Sequence, residues 1–191
     1  MNTSHPFLLA GCGNPLAGDD AFASRVVRRM TQIAPPDLEV ADLGLNPNAL
    51  IHLLPGRRGL IIVDAAIVPG ANPGDLLDLD YRAHRNTLLT SAGEISCHGL
   101  GFSDQLAMAA VLGWLPPDVR LIITTRGTSA LGSHVSPRVA DAVSNAIIAS
   151  LKWLNRWRKG ASLPTWPAHG PLRSHAPDLL KGEDHVEFKN N

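Results

Sequence analysis

The chain has 191 residues, 45% apolar and 18% charged, enough to bury a core as one domain and too apolar to be disordered throughout. Its 17 basic residues match 17 acidic ones, which excludes a general electrostatic pull toward nucleic acid or an anionic membrane. Cys12 and Cys97 form no C-x-x-C pair and are too few for a disulfide framework, which fits a reducing compartment, with the cytoplasm expected.

Pro6 to Cys12 predicts a first buried strand. It runs into Gly11-Cys12-Gly13-Asn14-Pro15-Leu16-Ala17-Gly18-Asp19-Asp20, which has the outline of a phosphate-binding strand, loop and helix start. Gly13 and Gly18 keep the P-loop spacing, but Asp19-Asp20 stands where that loop has Lys and Ser or Thr, so the loop favours a cation. Two acids entering a helix would equally stabilise its positive end, so capping is the plain alternative. Asp19 or Asp20 is expected to open a helix to about Thr31, with Phe22, Val26, Val27 and Met30 near one face. Leu38 to Leu43 predicts a second strand, Asn48 to Leu54 a short helix, and Leu60 to Val63 a central strand ending at Asp64.

After the turn signals Pro69, Gly70, Pro73 and Gly74, Asp75 to Tyr81 predicts an edge strand. His98-Gly99-Leu100-Gly101 precedes a helix from about Ser103 to Leu112, and Val119 to Thr125 predicts the last strand. A long helix follows from about Ser136 to Trp157, with Pro137 in its first turn. Trp153 and Trp157 beside Lys152, Arg156, Arg158 and Lys159 fit an amphipathic terminal helix better than a membrane or RNA patch. The alternation predicts an α/β fold, a single-domain three-layer sandwich over residues 1–158. Its mostly parallel twisted sheet has about five strands, with helices on both faces. Residues 159–191 form a Pro-rich tail, either disordered or packed on the domain. The amino terminus lacks the basic leader of a signal peptide, and no apolar run approaches the roughly 20 residues that span a bilayer.

In an open parallel sheet, ligands bind outside the carboxyl ends of the strands. Asp20, Asp64 and His98 all fall there. Two carboxylates and an imidazole without thiolate suit zinc, nickel, cobalt or manganese, and three protein ligands leave a position for water or substrate. Individually, Asp64 is also a turn cap and His98 a loop histidine; it is their convergence that points to a metal.

The opening motif, then Ile61-Ile62-Val63-Asp64-Ala65-Ala66 with Asn72-Pro73-Gly74-Asp75, then Ser96-Cys97-His98-Gly99-Leu100-Gly101, resembles the hydrogenase maturation endopeptidase family over residues 6–158. The resemblance implies a peptidase that removes the carboxyl-terminal extension of a nickel-iron hydrogenase large-subunit precursor once nickel is inserted. It implies Asp20, Asp64 and His98 as nickel ligands, with nickel supplied by the precursor and another divalent metal admissible in the isolated protein. It makes Asp20 the candidate catalytic acid, and Gly13, Asn14, Gly18 and Asp42 candidates for substrate contact. Gly11, Gly13 and Gly18 would let the loop approach substrate. The expected partner is the precursor, with no nucleic acid or membrane, and the chain itself is expected to be a monomer.

Two departures stand out. Ala21-Phe22 follows the acidic pair where family members often have Gly, and Thr124-Thr125-Arg126-Gly127 replaces a common Gly-Ile-Glu or Gly-Ile-Gln; the latter bears on which precursor is accepted. The rival readings are a non-cleaving nickel-binding or precursor-binding adaptor and a Rossmann-like nucleotide protein. The second lacks the third glycine of G-x-G-x-x-G.

Overall fold

The computed structural model describes residues 5–68, 70–84 and 102–160. Five strands form one sheet: β1 (Phe7–Cys12), β2 (Leu38–Gly44), β3 (Gly59–Ala66), β4 (Leu76–Asp80) and β5 (Asp118–Thr125), in the order β2-β1-β3-β5-β4. β1 pairs parallel with β2 and β3, β3 pairs parallel with β5, and β4 alone among them runs antiparallel. Every residue of β1, β3 and β5 is buried, as expected for inner strands covered on both faces.

Alternation along β1 divides the core. Phe7 and Leu9 point to one face, where α1 (Phe22–Ile33) and α4 (Pro137–Arg158) pack through Phe22, Val26, Met30, Val139 and Leu154. Leu8, Ala10 and Cys12 point to the other, against α2 (Leu50–Leu53) and α3 (Phe102–Val111) through Leu50, Ile51, Leu106 and Ala109. The three-layer α/β sandwich expected from the sequence is therefore the observed one. The chain leaves β1 for β2 on one side and returns to β3 on the other, so the strand order reverses between β1 and β3.

Some boundaries differ. The acidic pair does not open α1: Gly18–Ala21 form a 3-10 turn, Ala21 is the N-cap residue, and α1 has no side-chain cap. β3 runs two residues past Asp64 to Ala66, because pairing with β5 continues through Ala66 opposite Thr125. The expected tail beyond residue 160 lies outside the described residues. No helix among the described residues is long and apolar enough to cross a membrane.

At the sheet end where β5 begins, the terminal tryptophans serve the fold. Trp157 stacks on Phe7 with ring centroids 5.4 Å apart, and its indole N–H donates to Asp118 at 2.6 Å. The Arg120 guanidinium lies 3.6 Å from the centroid of Trp153 and pairs with Asp80 and Asp118 at 3.2 Å each. Trp153 donates to Asp78 at 2.7 Å. Burial pushes the Asp78 carboxyl above its ordinary range, against the lowering effects of the Trp153 hydrogen bond and the Arg120 charge.

A group whose folded pKa is raised stabilises the protein fully below its unfolded pKa and loses that contribution as pH rises through the folded one. Asp78→Asn removes this dependence. The difference in thermal midpoint, variant minus parent, should therefore shift in the variant's favour as pH rises above the ordinary carboxylate range. Scanning fluorimetry checks this, and a difference constant with pH would contradict it.

Candidate functional site at the strand reversal

The strand order reverses between β1 and β3, and the carboxyl ends of these strands are the place where open α/β sheets bind ligands in a crevice. Two of the three expected ligands border it. Asp20 lies on the 3-10 turn after β1, which packs against β3, and is only 5% exposed. Its Oδ2 accepts from the backbone N–H of Asn14 at 2.9 Å, so the carboxylate is turned back over its own loop. Asp64, 9% exposed, lies near the end of β3, and its Oδ1 accepts from the N–H of Ala65 at 2.7 Å. His98 lies outside the described residues. Among the described residues, no group of three or more His, Cys, Asp or Glu is arranged to hold a metal ion.

Asp19, adjacent to Asp20, has a different task. Its side chain is fully buried and accepts three backbone N–H bonds: Gly127 at 2.8 Å and Thr128 at 3.2 Å on Oδ2, and Ser136 at 2.7 Å on Oδ1. Its own N–H donates to the Thr128 carbonyl at 2.9 Å. Since Ser136 is the N-cap residue of α4, this carboxylate binds the loop after β1 to the loop after β5 and to the start of the longest helix. Burial alone would raise the Asp19 pKa; the Ser136, Gly127 and Thr128 hydrogen bonds outweigh it and hold the carboxyl below its ordinary 3.8. Nothing local in the sequence separates the two acids, because the partners of Asp19 are more than a hundred residues away in the chain.

The loop glycines are explained by the protein itself. A Cβ on Gly13 would stand 2.2 Å from the Asp20 carbonyl oxygen, and Gly18, at φ +53°, would carry one 2.4 Å from Ser133 Oγ. Asn14 Oδ1 accepts from the Leu16 N–H at 3.0 Å, forming the turn that presents its own N–H to Asp20. Asp42, exposed on edge strand β2 opposite Gly11, accepts from the Gly44 N–H at 3.0 Å; the Gly44 carbonyl in turn accepts from Gly13 at 2.8 Å. Asp42 thus supports the loop from behind. Cys12 is buried and its thiol donates to that carbonyl at 3.0 Å, a core setting rather than that of an accessible nucleophile. Arg126, in the departing loop, donates its backbone N–H to Ala66 at 2.9 Å, which seats it beside the end of β3.

The family model for hydrogenase maturation proteases matches residues 24–153. The chain belongs to the hydrogenase maturation protease family. The matched span contains Asp64 and His98 and begins after Asp20. Among its relatives, a hydrogenase expression/formation protein of Rhodobacter capsulatus is 30% identical over 163 residues, 82% of this chain and 76% of the relative. The hydrogenase 2 maturation protease of Escherichia coli K12 is 30% identical over 117 residues, 60% of this chain and 70% of that one. The structure of the hydrogenase maturating endopeptidase HybD from E. coli superposes with a TM-score of 0.71 at 26% identity, covering 82% of this chain and 94% of that one. Fold and family therefore agree with the resemblance carried by the three sequence motifs, and the family is one of peptidases.

Within this maturation-protease fold, the Asp19 anchor makes a prediction independent of catalysis. Asp19→Asn keeps the side-chain shape but faces an amide N–H₂ toward N–H donors, and should cost about 2 kcal/mol of stability at neutral pH. Because the Asp19 pKa is lowered on folding, its contribution exists above the ordinary carboxylate pKa and fades as pH falls through the folded value. Urea unfolding at neutral pH and at about pH 3 should show a deficit that is smaller in the second case than in the first. Equal stability of variant and parent at neutral pH would refute the anchor.

Proposed function

We propose that this protein is the endopeptidase that removes the carboxyl-terminal extension of a nickel-iron hydrogenase large-subunit precursor after nickel insertion. In this reading the nickel is part of the substrate, held by the precursor, and Asp20, Asp64 and His98 supply the remaining oxygen and nitrogen donors. The observation that carries it is the pair of buried carboxylates at the point of reversal, Asp20 on the turn that follows β1 and Asp64 near the end of β3. Two largely buried carboxylates at the same end of the sheet offer oxygen donors that a substrate-borne divalent ion can engage. Their oxygens, with an imidazole, are a donor set that nickel accepts.

Docking through the metal makes processing conditional on insertion, because a precursor without nickel presents no ion for these donors to bind. The scissile peptide is then held near a water. Asp20, already fixed by the Asn14 N–H, is the group to accept that water's proton as it attacks the carbonyl carbon, with the proton passing to the leaving amine. The second route gives the polarising role to the precursor's nickel and leaves Asp20 as a ligand.

The test is incubation of the purified full chain with nickel-loaded and nickel-free precursor, with mass spectrometry of the product. Cleavage is expected of the loaded form. Asp20→Asn, Asp64→Asn and His98→Ala should each slow it by at least about a hundredfold, with thermal midpoints near that of the parent. Unchanged precursor mass with the parent protein would favour the adaptor reading, and full activity of His98→Ala would remove that residue from the ligand set.

A further inference from the structure

A groove of about 560 Å³ runs between α1 and the first half of α4, beginning at Pro15 in the loop that also carries Asn14 and Asp20. Its floor includes Ala140 and Val143 of α4, and Arg25, Arg28 and Arg29 of α1 stand along its wall. Spacing of three and four residues puts these arginines on one side of the helix, where like charges repel. The α1 segment, FASRVVRRMTQI, contains no acid to offset them. Among the described residues, no carboxylate oxygen lies within 4.0 Å of any of the three guanidinium groups. Arg29 donates to the neutral Ser144 hydroxyl at 3.3 Å.

In a chain whose net charge is zero, three arginines with no carboxylate partner among the described residues, beside a groove lined by Ala140 and Val143, form a local anion-recognising surface. Guanidinium groups suit carboxylates, which they bind in bidentate fashion. The described lining has no aromatic side chain on which bases would stack, which weighs against single-stranded nucleic acid. Pro15 and Ala21, which line the groove, are the chain neighbours of Asn14 and Asp20, so one end of the groove adjoins the loop that carries the candidate acid.

We propose that this groove docks an acidic segment of the precursor polypeptide, whose carboxylates engage Arg25, Arg28 and Arg29 while the adjoining chain enters the crevice between β1 and β3. The inference rests on the processing function proposed above for the identity of the polypeptide, and on the groove alone for its acidic character. Docking here contributes to precursor affinity and leaves the chemical step unchanged.

Two measurements on the full chain test it. In the first, fluorescence anisotropy follows a labelled peptide alternating Glu and Ala, a matched peptide with Lys for Glu, and a single-stranded oligonucleotide. The Glu peptide should bind with strong salt dependence, and the triple variant Arg25→Gln, Arg28→Gln, Arg29→Gln should weaken it about tenfold. A triple Arg→Lys variant, which keeps the charge, should retain part of that binding. In the second, processing of nickel-loaded precursor by the Gln variant should show KM raised about tenfold with kcat unchanged. Equal binding of the Glu peptide by parent and folded Gln variant would overturn the proposal, as would preference for the Lys peptide. Binding of the oligonucleotide alone, lost in the Gln variant, would also overturn it by assigning the groove to nucleic acid. Should the parent fail to cut any precursor while the arginines still govern Glu-peptide binding, the processing function fails and the acidic-segment groove stands.

Discussion

A single buried carboxylate organises the functional end of this molecule. Asp19 gathers the N–H groups of Gly127, Thr128 and Ser136, and so fixes the β1 loop, the β5 loop and the start of α4 to one another. A buried charge of this kind is tolerated because three donors replace the water it has lost, and removing the donors or the charge leaves the rest unpaired. The neighbouring backbone closes around the same point: Gly132 donates to Leu16, and Gly18 takes a left-handed conformation against Ser133.

That anchoring frees Asp20 for another role. With its neighbour committed to the far loop, the next carboxylate turns to the Asn14 N–H and lies beside the crevice at the end of β1. Asp64 reaches the same end of the sheet from β3, whose pairing with β5 holds it rigidly. Carboxylates on paired central strands and on a clamped turn are held in place better than on a free loop, which is what selective engagement of a metal-bearing substrate requires. The family relationship accounts for the fold on which these acids are carried.

The opposite end of the sheet is built for stability. There Arg120 is shared by Asp80 and Asp118 and covered by Trp153, while Trp157 caps the cluster through Asp118 and Phe7. The charged and aromatic residues near the end of α4, expected from the sequence to form an amphipathic terminal helix, are partly drawn inward by these contacts. Arg158 pairs with Asp37 at the start of β2, tying the helix end to the edge of the sheet. Polar residues concentrate at both ends of the strands: the arginine–tryptophan cluster at one end, the Asp19 anchor and the candidate acids at the other.

The alternation of apolar runs with amphipathic segments, read from one sequence, was enough to determine the three-layer architecture, because burial on two faces leaves its mark on every strand. The motifs around Asp20, Asp64 and His98 likewise carried the family. His98 itself, with residues 85–101, lies outside the described structure, so its share of the site still rests on the sequence. What the tertiary structure alone decided is the division of labour between Asp19 and Asp20. Two identical side chains in succession have the same local chemistry, and only the long-range return of Gly127, Thr128 and Ser136 gives one of them its partners. The extension of β3 past Asp64, and the conversion of the expected helix cap into a 3-10 turn, have the same origin: pairing with β5 and contact with the distant loop override the local signals.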